Sequence, residues 1–322
     1  MVNSRLPAEM LEKVFRMLPP RDLKSVVQVC RRWNQVGQAP SLWSWVSLTV
    51  DTTSLGHLPG LLRGRLLGVK EMRARVASEE LLHLISSHPA LRSLDISDTP
   101  LPTIDAHLLA SSITSLTKLV IWETHLTTEQ AEALLTSMTV NHQLKTLDMS
   151  YNDLSEVHPQ LLAMVAVELE ELRLCGTSLT SQQSEALISA LHEKKNQLKK
   201  LHISYCNLAT IEPAHLARVL TMLQDVAVMY SSLTPMQLNS LFLSMMEGSS
   251  LIKVDLSYND LSSVDPETLA HAVNKLESVT LNRTCVTCDQ VKWFWLEFFV
   301  LFRIWVDCCS SEMPNYIFYY NV

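Results

Sequence analysis

The sequence predicts an α/β solenoid preceded by a small three-helix head, and three observations carry that reading. An alternating pattern, L-x-x-L-x-L followed after two residues by a small or polar one, recurs eight times between residues 91 and 290. Its copies begin at 91, 116, 144, 169, 198, 223, 251 and 276, at intervals of 25, 28, 25, 29, 25, 28 and 25 residues. Residues 6–43 show helical periodicity instead, broken at Pro19-Pro20. Composition agrees: 47% hydrophobic and 18% charged residues fit a chain with a large core, and 7 glycines in 322 residues argue against Gly-rich phosphate loops.

In the head, Leu11, Val14, Phe15 and Leu18 fall at i, i+3, i+4 and i+7, one face of a helix opening at Pro7 and ending before the proline pair. A second helix from near Asp22 presents Leu23, Val26, Val27 and Cys30. A third runs through Trp33 and Val36 and is closed by Gly37 and Pro40. About 40 residues bury too little surface to be stable alone without a metal, a disulfide or a partner. The segment has no cysteine pair or metal cluster, which leaves a partner's helix face as the physical solution.

The quoted residues, Leu6-Pro7-x-Glu9-x-Leu11, Phe15, Leu18-Pro-Pro, Asp22-Leu23, Val29-Cys30-Arg31-x-Trp33 and Leu42-Trp43, closely resemble an F-box. The resemblance implies docking on the Skp-type adaptor of a cullin–RING ubiquitin ligase. It makes Leu6, Pro7, Leu11, Val14, Phe15, Leu18, Leu23, Val29, Cys30 and Trp33 candidates for that interface or its support. The competing role for most of them is packing within the three helices; for Phe15, Leu18 and Trp33 the two roles are compatible. Leu42 and Trp43 either close the motif or pack on the first repeat.

Residues 46–90 read as a linker with a degenerate capping repeat, a possible first strand in SLWSWVSLTV and a helix over ASEELLHLI. In each of the eight copies that follow, alternating apolar residues make a short strand with inward leucines. A turn follows, with Asn, Thr, Ser or Cys where neighbouring turns are tied together, then an amphipathic helix such as TTEQAEALLTSM, capped by Thr127 or Thr128. One unit cannot bury its own apolar face, whereas stacked units share a core. Intervals alternate, so odd and even copies form two classes within a unit of 53 or 54 residues.

Residues 91–290 resemble leucine-rich repeats, closest to the ribonuclease-inhibitor-like class with a helix in each repeat, which implies a protein-binding horseshoe of parallel inner strands and outer helices. The expected organisation is therefore 1–45 F-box, 46–90 linker and capping repeat, 91–290 eight repeats, and 291–322 an atypical tail. Residues between the strand leucines are expected on the concave face. Candidates for target binding are Asp95, Trp122, Asp148, Arg173, His202, Met229, Asp255 and Asn282, with Trp122, Arg173 and Met229 expected to be exposed. Even copies differ from one another and would set specificity. Asp95, Asp148 and Asp255 either form an acidic floor or hydrogen-bond neighbouring rows. Tyr151, Tyr205, Tyr230 and Tyr258 sit at strand-to-turn corners.

Charge and cysteine usage exclude other classes. Net charge is −7, with 12 Lys/Arg against 5 Asp/Glu in residues 1–75 and 14 against 28 in 76–322, which argues against nucleic-acid binding. Seven cysteines, four of them after residue 284, give no even disulfide framework, and no secretory signal opens the chain; both point to the cytoplasm or nucleus. The apolar run 291–306 is short of a bilayer span and carries Lys292, Glu297 and Arg303, which argues against a membrane segment. Cys285-x-x-Cys288 with the adjacent Cys308-Cys309 lacks zinc spacing, and no cofactor or catalytic motif is present. The tail holds 11 of the 21 aromatic residues within 293–320, which reads as an improvised hydrophobic cap, a membrane-touching tail or sequence from an alternative exon replacing further repeats; the last is favoured and implies poor folding of 299–322. The whole reads as a non-catalytic substrate-recognition subunit of an SCF-type ligase. The alternative is a repeat scaffold tethered through its F-box without degrading a target.

Overall fold

The computed structural model describes residues 6–44, 47–51, 65–140, 142–193, 197–297 and 303–307, in two compact units, Met1–Thr124 and His125–Val322. The first unit opens with α1 (Ala8–Phe15), α2 (Pro20–Val26) and α3 (Arg31–Gly37). Pro20 sits at the first position of α2, where a missing N–H costs no intrahelical bond, so this helix starts two residues before the expected Asp22. Leu11, Phe15, Leu23, Val26 and Val27 form the core of the head. A Cβ on Gly37 would stand 2.6 Å from Cγ1 of Val27, so the close approach there requires glycine. Leu42 and Trp43 are buried, and Trp43 Nε1 donates to the Gly37 carbonyl at 2.9 Å, tying off the end of α3.

Strands β1 (Ser47–Val50), β2 (Glu71–Ala74), β3 (Ser93–Asp95) and β4 (Lys118–Val120) follow, each parallel to the next. Helices α4 (Glu79–Ser86) and α5 (Ala106–Ser112) alternate with them. A strand forms only at the end of SLWSWVSLTV, after a helical turn at Pro40–Leu42, and the helix over ASEELLHLI occurs as expected. Strand β2 was not anticipated, because EMRA points only Met72 and Ala74 inward and carries no leucine signature. A Cβ on Gly68 would lie 1.9 Å from the Pro40 carbonyl oxygen; there the chain before β2 packs directly on backbone beside Leu42.

The second unit alternates helix and strand: α6 (Thr128–Val140), β5 (Thr146–Asp148), α7 (Pro159–Ala166), β6 (Glu171–Arg173), α8 (Ser181–Glu193) and β7 (Lys200–His202). It continues with α9 (Pro213–Met222), β8 (Asp225–Ala227), α10 (Pro235–Glu247), β9 (Lys253–Asp255), α11 (Pro266–Val273), β10 (Ser278–Asn282), α12 (Cys288–Glu297) and β11 (Arg303–Asp307). Strands β5 to β11 pair in sequence order, all parallel. The inward residues Leu147, Leu172, Leu201, Val226, Val254 and Val279 are buried.

The two classes of copy have a physical basis. In even copies a T-x-x-Q box starts the helix: Thr127, Thr180, Thr234 and Thr287 accept from the backbone N–H of Gln130, Gln183, Gln237 and Gln290, whose side chains accept from the threonine N–H in return. The buried glutamine then reaches back one copy. Gln183 Nε2 donates to the Leu154 and Val157 carbonyls at 2.7 and 2.6 Å. Gln237 does the same to Leu208 and Ile211, and Gln290 to Leu261 and Val264. Odd copies start their helices with Asp105, His158, Glu212 or Asp265, and in the last three proline follows. In these three even copies the glutamine thus grips the turn of the odd copy before it.

The turn position expected to tie rows together is buried in every copy: Thr99, Thr124, Asn152, Thr177, Cys206, Ser231, Asn259 and Thr284. Asn259 donates to the Val228 and Leu256 carbonyls and accepts from the N–H groups of Ser231 and Leu233. In the tail, β11 pairs with β10 over five residues. The Phe294 and Trp295 side chains, Phe298 and Cys308-Cys309 lie outside the described residues, as do Lys194 and Lys195.

Candidate functional site

In the head, α1 is apolar on two stripes set ~100° apart around the helix. Leu11 and Phe15 point inward and Leu18 is half-buried. Met10, Val14 and Met17, at i, i+4 and i+7, face outward with 46, 49 and 86% of their surface exposed. Val14 therefore separates from the residues it was grouped with. Val29 and Cys30 are exposed on the segment before α3, as is Pro7 before α1. Leu11, Phe15 and Leu23 are fully enclosed by their own chain, so they support the head and cannot themselves present a side chain to a partner. Trp33 packs edge-on against Phe15 with centroids 5.2 Å apart, and its buried Nε1 finds no acceptor among the described residues. Leu6 is half-buried, and its carbonyl accepts from Arg32. Glu12 accepts from Ser41 Oγ and Arg16, which together hold its carboxyl below the usual range.

On the strands of the second unit, register places Asp148, Arg173, His202, Ala227, Asp255 and Thr280 side by side, with Met229 and Asn282 two residues further along their chains. Arg173 is clamped by Glu171 through Nε at 2.8 Å and Nη2 at 2.6 Å, and Lys200 reaches the same carboxylate at 3.5 Å. His202 Nε2 meets Asp225 at 3.1 Å. In the first unit Asp95 faces Arg73 at 3.4 Å. Trp122, Arg173 and Met229, expected to be exposed, are half-buried, because each stands between neighbouring rows.

Asp95, Asp148 and Asp255 accept from the backbone N–H two residues on, at Ser97, Ser150 and Ser257. Ser150, Ser204 and Ser257 link rows: Ser150 accepts from the Cys175 N–H, Ser204 from Met229 and Ser257 from Asn282. At Asp148 and Asp255 the D-x-S repetition is thus a local turn joined to an inter-row bond, whereas Ser97 Oγ is buried without a partner among the described residues and Asp95 itself reaches Arg73 in the row before. Burial raises the Cys175 thiol and pushes Cys206 up to about 11, away from nucleophilic thiolate chemistry. Among the described residues, no group of three His, Cys, Asp or Glu side chains is placed to hold a metal, and no helix is long and apolar enough to cross a membrane.

Sequence reasoning missed Met10 and Met17, whose spacing with Val14 is itself helical, and the T-x-x-Q boxes, whose recurrence was visible in the even copies. The F-box-like family model matches residues 3–49, and the Leucine Rich Repeat model matches 143–164 and 250–272, the two copies with asparagine at the buried turn. The chain is 33% identical to mouse F-box/LRR-repeat protein 8 over 99 residues, 28% of this chain and 26% of that protein. It is 29% identical to the bovine F-box/LRR-repeat protein 8 over 102 residues, 29% of this chain and 27% of that one. It is 27% identical to mouse Lysine-specific demethylase 2B over 212 residues, 61% of this chain and 16% of that protein. The matches thus span about a quarter or less of these relatives. The chain carries an F-box-like head followed by leucine-rich repeats.

Proposed function

We propose that this chain is a substrate-recognition subunit of an SCF-type cullin–RING ubiquitin ligase. The head docks on the Skp-type adaptor and the repeats hold a target protein, through residues among Asp95, Trp122, Asp148, Arg173, His202, Met229, Asp255 and Asn282. The observation that carries the docking is the outward stripe Met10, Val14 and Met17, on a head too small to leave apolar surface uncovered. Val29, Cys30 and Pro7 are exposed on the same head and add to the surface open to a partner. In this reading the chain is a non-catalytic subunit. Its effect on rate is proximity, holding target lysines near a ubiquitin-charged enzyme, an advantage of several kcal/mol when geometry is fixed.

The test is co-purification with the adaptor. Val14→Asp with Met17→Asp leaves the head folded, since surface substitutions shift stability by about 0.5 kcal/mol or less, and should abolish adaptor binding. Retained binding by the folded variant refutes the docking. Cullin recovery without any change in target half-life favours the non-degradative scaffold.

A further inference from the structure

The residue following each strand's last serine, cysteine or equivalent adopts the left-handed backbone conformation in every copy. In the second unit it is Tyr151, Gly176, Tyr205, Tyr230, Tyr258 and Arg283, with φ between 52° and 64°. Glycine, asparagine or aspartate suits such a position, and a bulky side chain is disfavoured there. Backbone geometry therefore does not explain four tyrosines. Nor does the core, since the four rings are 41 to 60% exposed. Tyr205 and Tyr230 have centroids 5.7 Å apart, and Tyr230 and Tyr258 are 6.1 Å apart. A Cβ on Gly176 would stand 2.9 Å from Cδ1 of Tyr151, so that ring lies over the glycine and fills its row. The guanidinium of Arg283 lies 5.5 Å from the Tyr258 centroid and ends the ribbon.

We propose that this tyrosine ribbon is the docking surface for an extended, arginine-bearing segment of a partner protein. The proposal rests on the reading that the repeats hold a protein target and names the chemistry of what they hold. Arg283 on Tyr258 is the same contact made within the chain, a guanidinium on a tyrosine ring. Alternate side chains of an extended segment repeat at ~6–7 Å, close to the ring spacing, so arginines two residues apart meet successive rings. Charge favours a cation. Asp148 and Asp255 lie three residues before Tyr151 and Tyr258, and Asp153 and Asp260 two residues after them. The nearby cations Arg173 and Lys200 are already paired with Glu171. Residues 125–322 carry 12 Lys/Arg against 22 Asp/Glu, a net of −10, which disfavours the stacked bases of a phosphate-bearing strand.

The test uses the full chain and a short labelled peptide with arginine at alternate positions, read by fluorescence anisotropy. Tyr205→Asn and Tyr230→Asn remove a ring while suiting the left-handed backbone. Each should weaken binding about twofold to fivefold, and Tyr230→Phe should retain it. The citrulline peptide, equal in shape but uncharged, should bind more weakly, as should a single-stranded oligonucleotide. Gly176→Ala, which displaces the Tyr151 ring, gives a second route to the same loss. Unchanged affinity in the asparagine variants, or equal binding of the citrulline peptide or the oligonucleotide, overturns the proposal. The assay needs no adaptor, so its failure leaves head docking untouched. If target capture falls in Trp122→Ala and Arg173→Ala but not in the tyrosine variants, the repeats hold a target and the ribbon does not.

Discussion

The head and the second unit solve the same problem, burying apolar surface on short elements, in opposite ways. The head uses helices of 8, 7 and 7 residues, none with a side-chain cap bond, and leaves Met10, Val14 and Met17 outside. The second unit joins its rows with hydrogen bonds, from Gln183, Gln237 and Gln290 to the row before and to Ser150, Ser204 and Ser257 from the row after. The rows bond polar groups to their neighbours, although Ser184 Oγ and His192 Nδ1 are buried without a partner among the described residues, as is Trp33 Nε1 in the head. What sets the head apart is its outward apolar stripe. In the proposed reading that stripe is the docking surface, whereas specificity on the repeats comes from side chains left over after row-to-row bonding.

The sharpest way to break this comparison is Phe15→Ala. The ring is fully buried against Trp33, and truncations of this kind cost about 3–5 kcal/mol. A domain of this size has little more than that to lose. Hydrogen exchange should show residues 6–44 unfolded, with protection in 144–290 unchanged. Equal loss of protection in both regions would mean that the head and the repeats are not energetically separate.

Gln237→Leu comes next. It leaves the Ile211 carbonyl without its Gln237 donor, takes one of two donors from the Leu208 carbonyl, which keeps the Ile211 N–H, and breaks the box with Thr234, at about 1–3 kcal/mol for one buried acceptor left unmade. Because the loss falls between adjacent rows, exchange should rise in α9 and α10 first and leave α7 protected. Uniform acceleration across the unit would contradict row-by-row stabilisation.

Much of this was legible in the sequence. The eight inward strand residues, five leucines and three valines, and the buried turn residues follow from a period that admits one stacking, and Pro7, Pro19-Pro20 and Gly37 punctuate the head. What escaped had weaker local signals. Strand β2 has methionine and alanine where leucines were sought, yet parallel pairing with β1 and β3 suffices to form it. The orientation of α1 escaped because both of its stripes are apolar; which one turns inward depends on the Phe15–Trp33 contact, far apart in sequence. Exposure of Trp122, Arg173 and Met229 was overestimated because alternation gives direction but not the depth set by flanking rows.

The smallest effect distinguishes odd from even copies. Asp265 caps α11 by accepting from the Thr268 N–H and Oγ at 2.8 Å, and Glu212 caps α9 by accepting from the His215 N–H at 2.7 Å; both carboxyls are held below their usual range chiefly by these bonds. A carboxyl whose folded pKa is depressed stabilises fully above its unfolded value, near ~4 for these side chains, and loses that contribution as pH falls through the folded value. Thr234, capping α10, does not titrate in this range. Asp265→Ala should cost about 0.5–1 kcal/mol at neutral pH, measured by urea unfolding, and less below the folded pKa, where the protonated wild-type cap keeps an acceptor but has lost its charge. Asp265→Asn keeps an acceptor and should remove the pH dependence while retaining most of the stability. Acidification below about pH 4 should therefore fray the starts of α9 and α11 before that of α10. Simultaneous fraying of all three helices would show that the caps do not set the order in which the rows open.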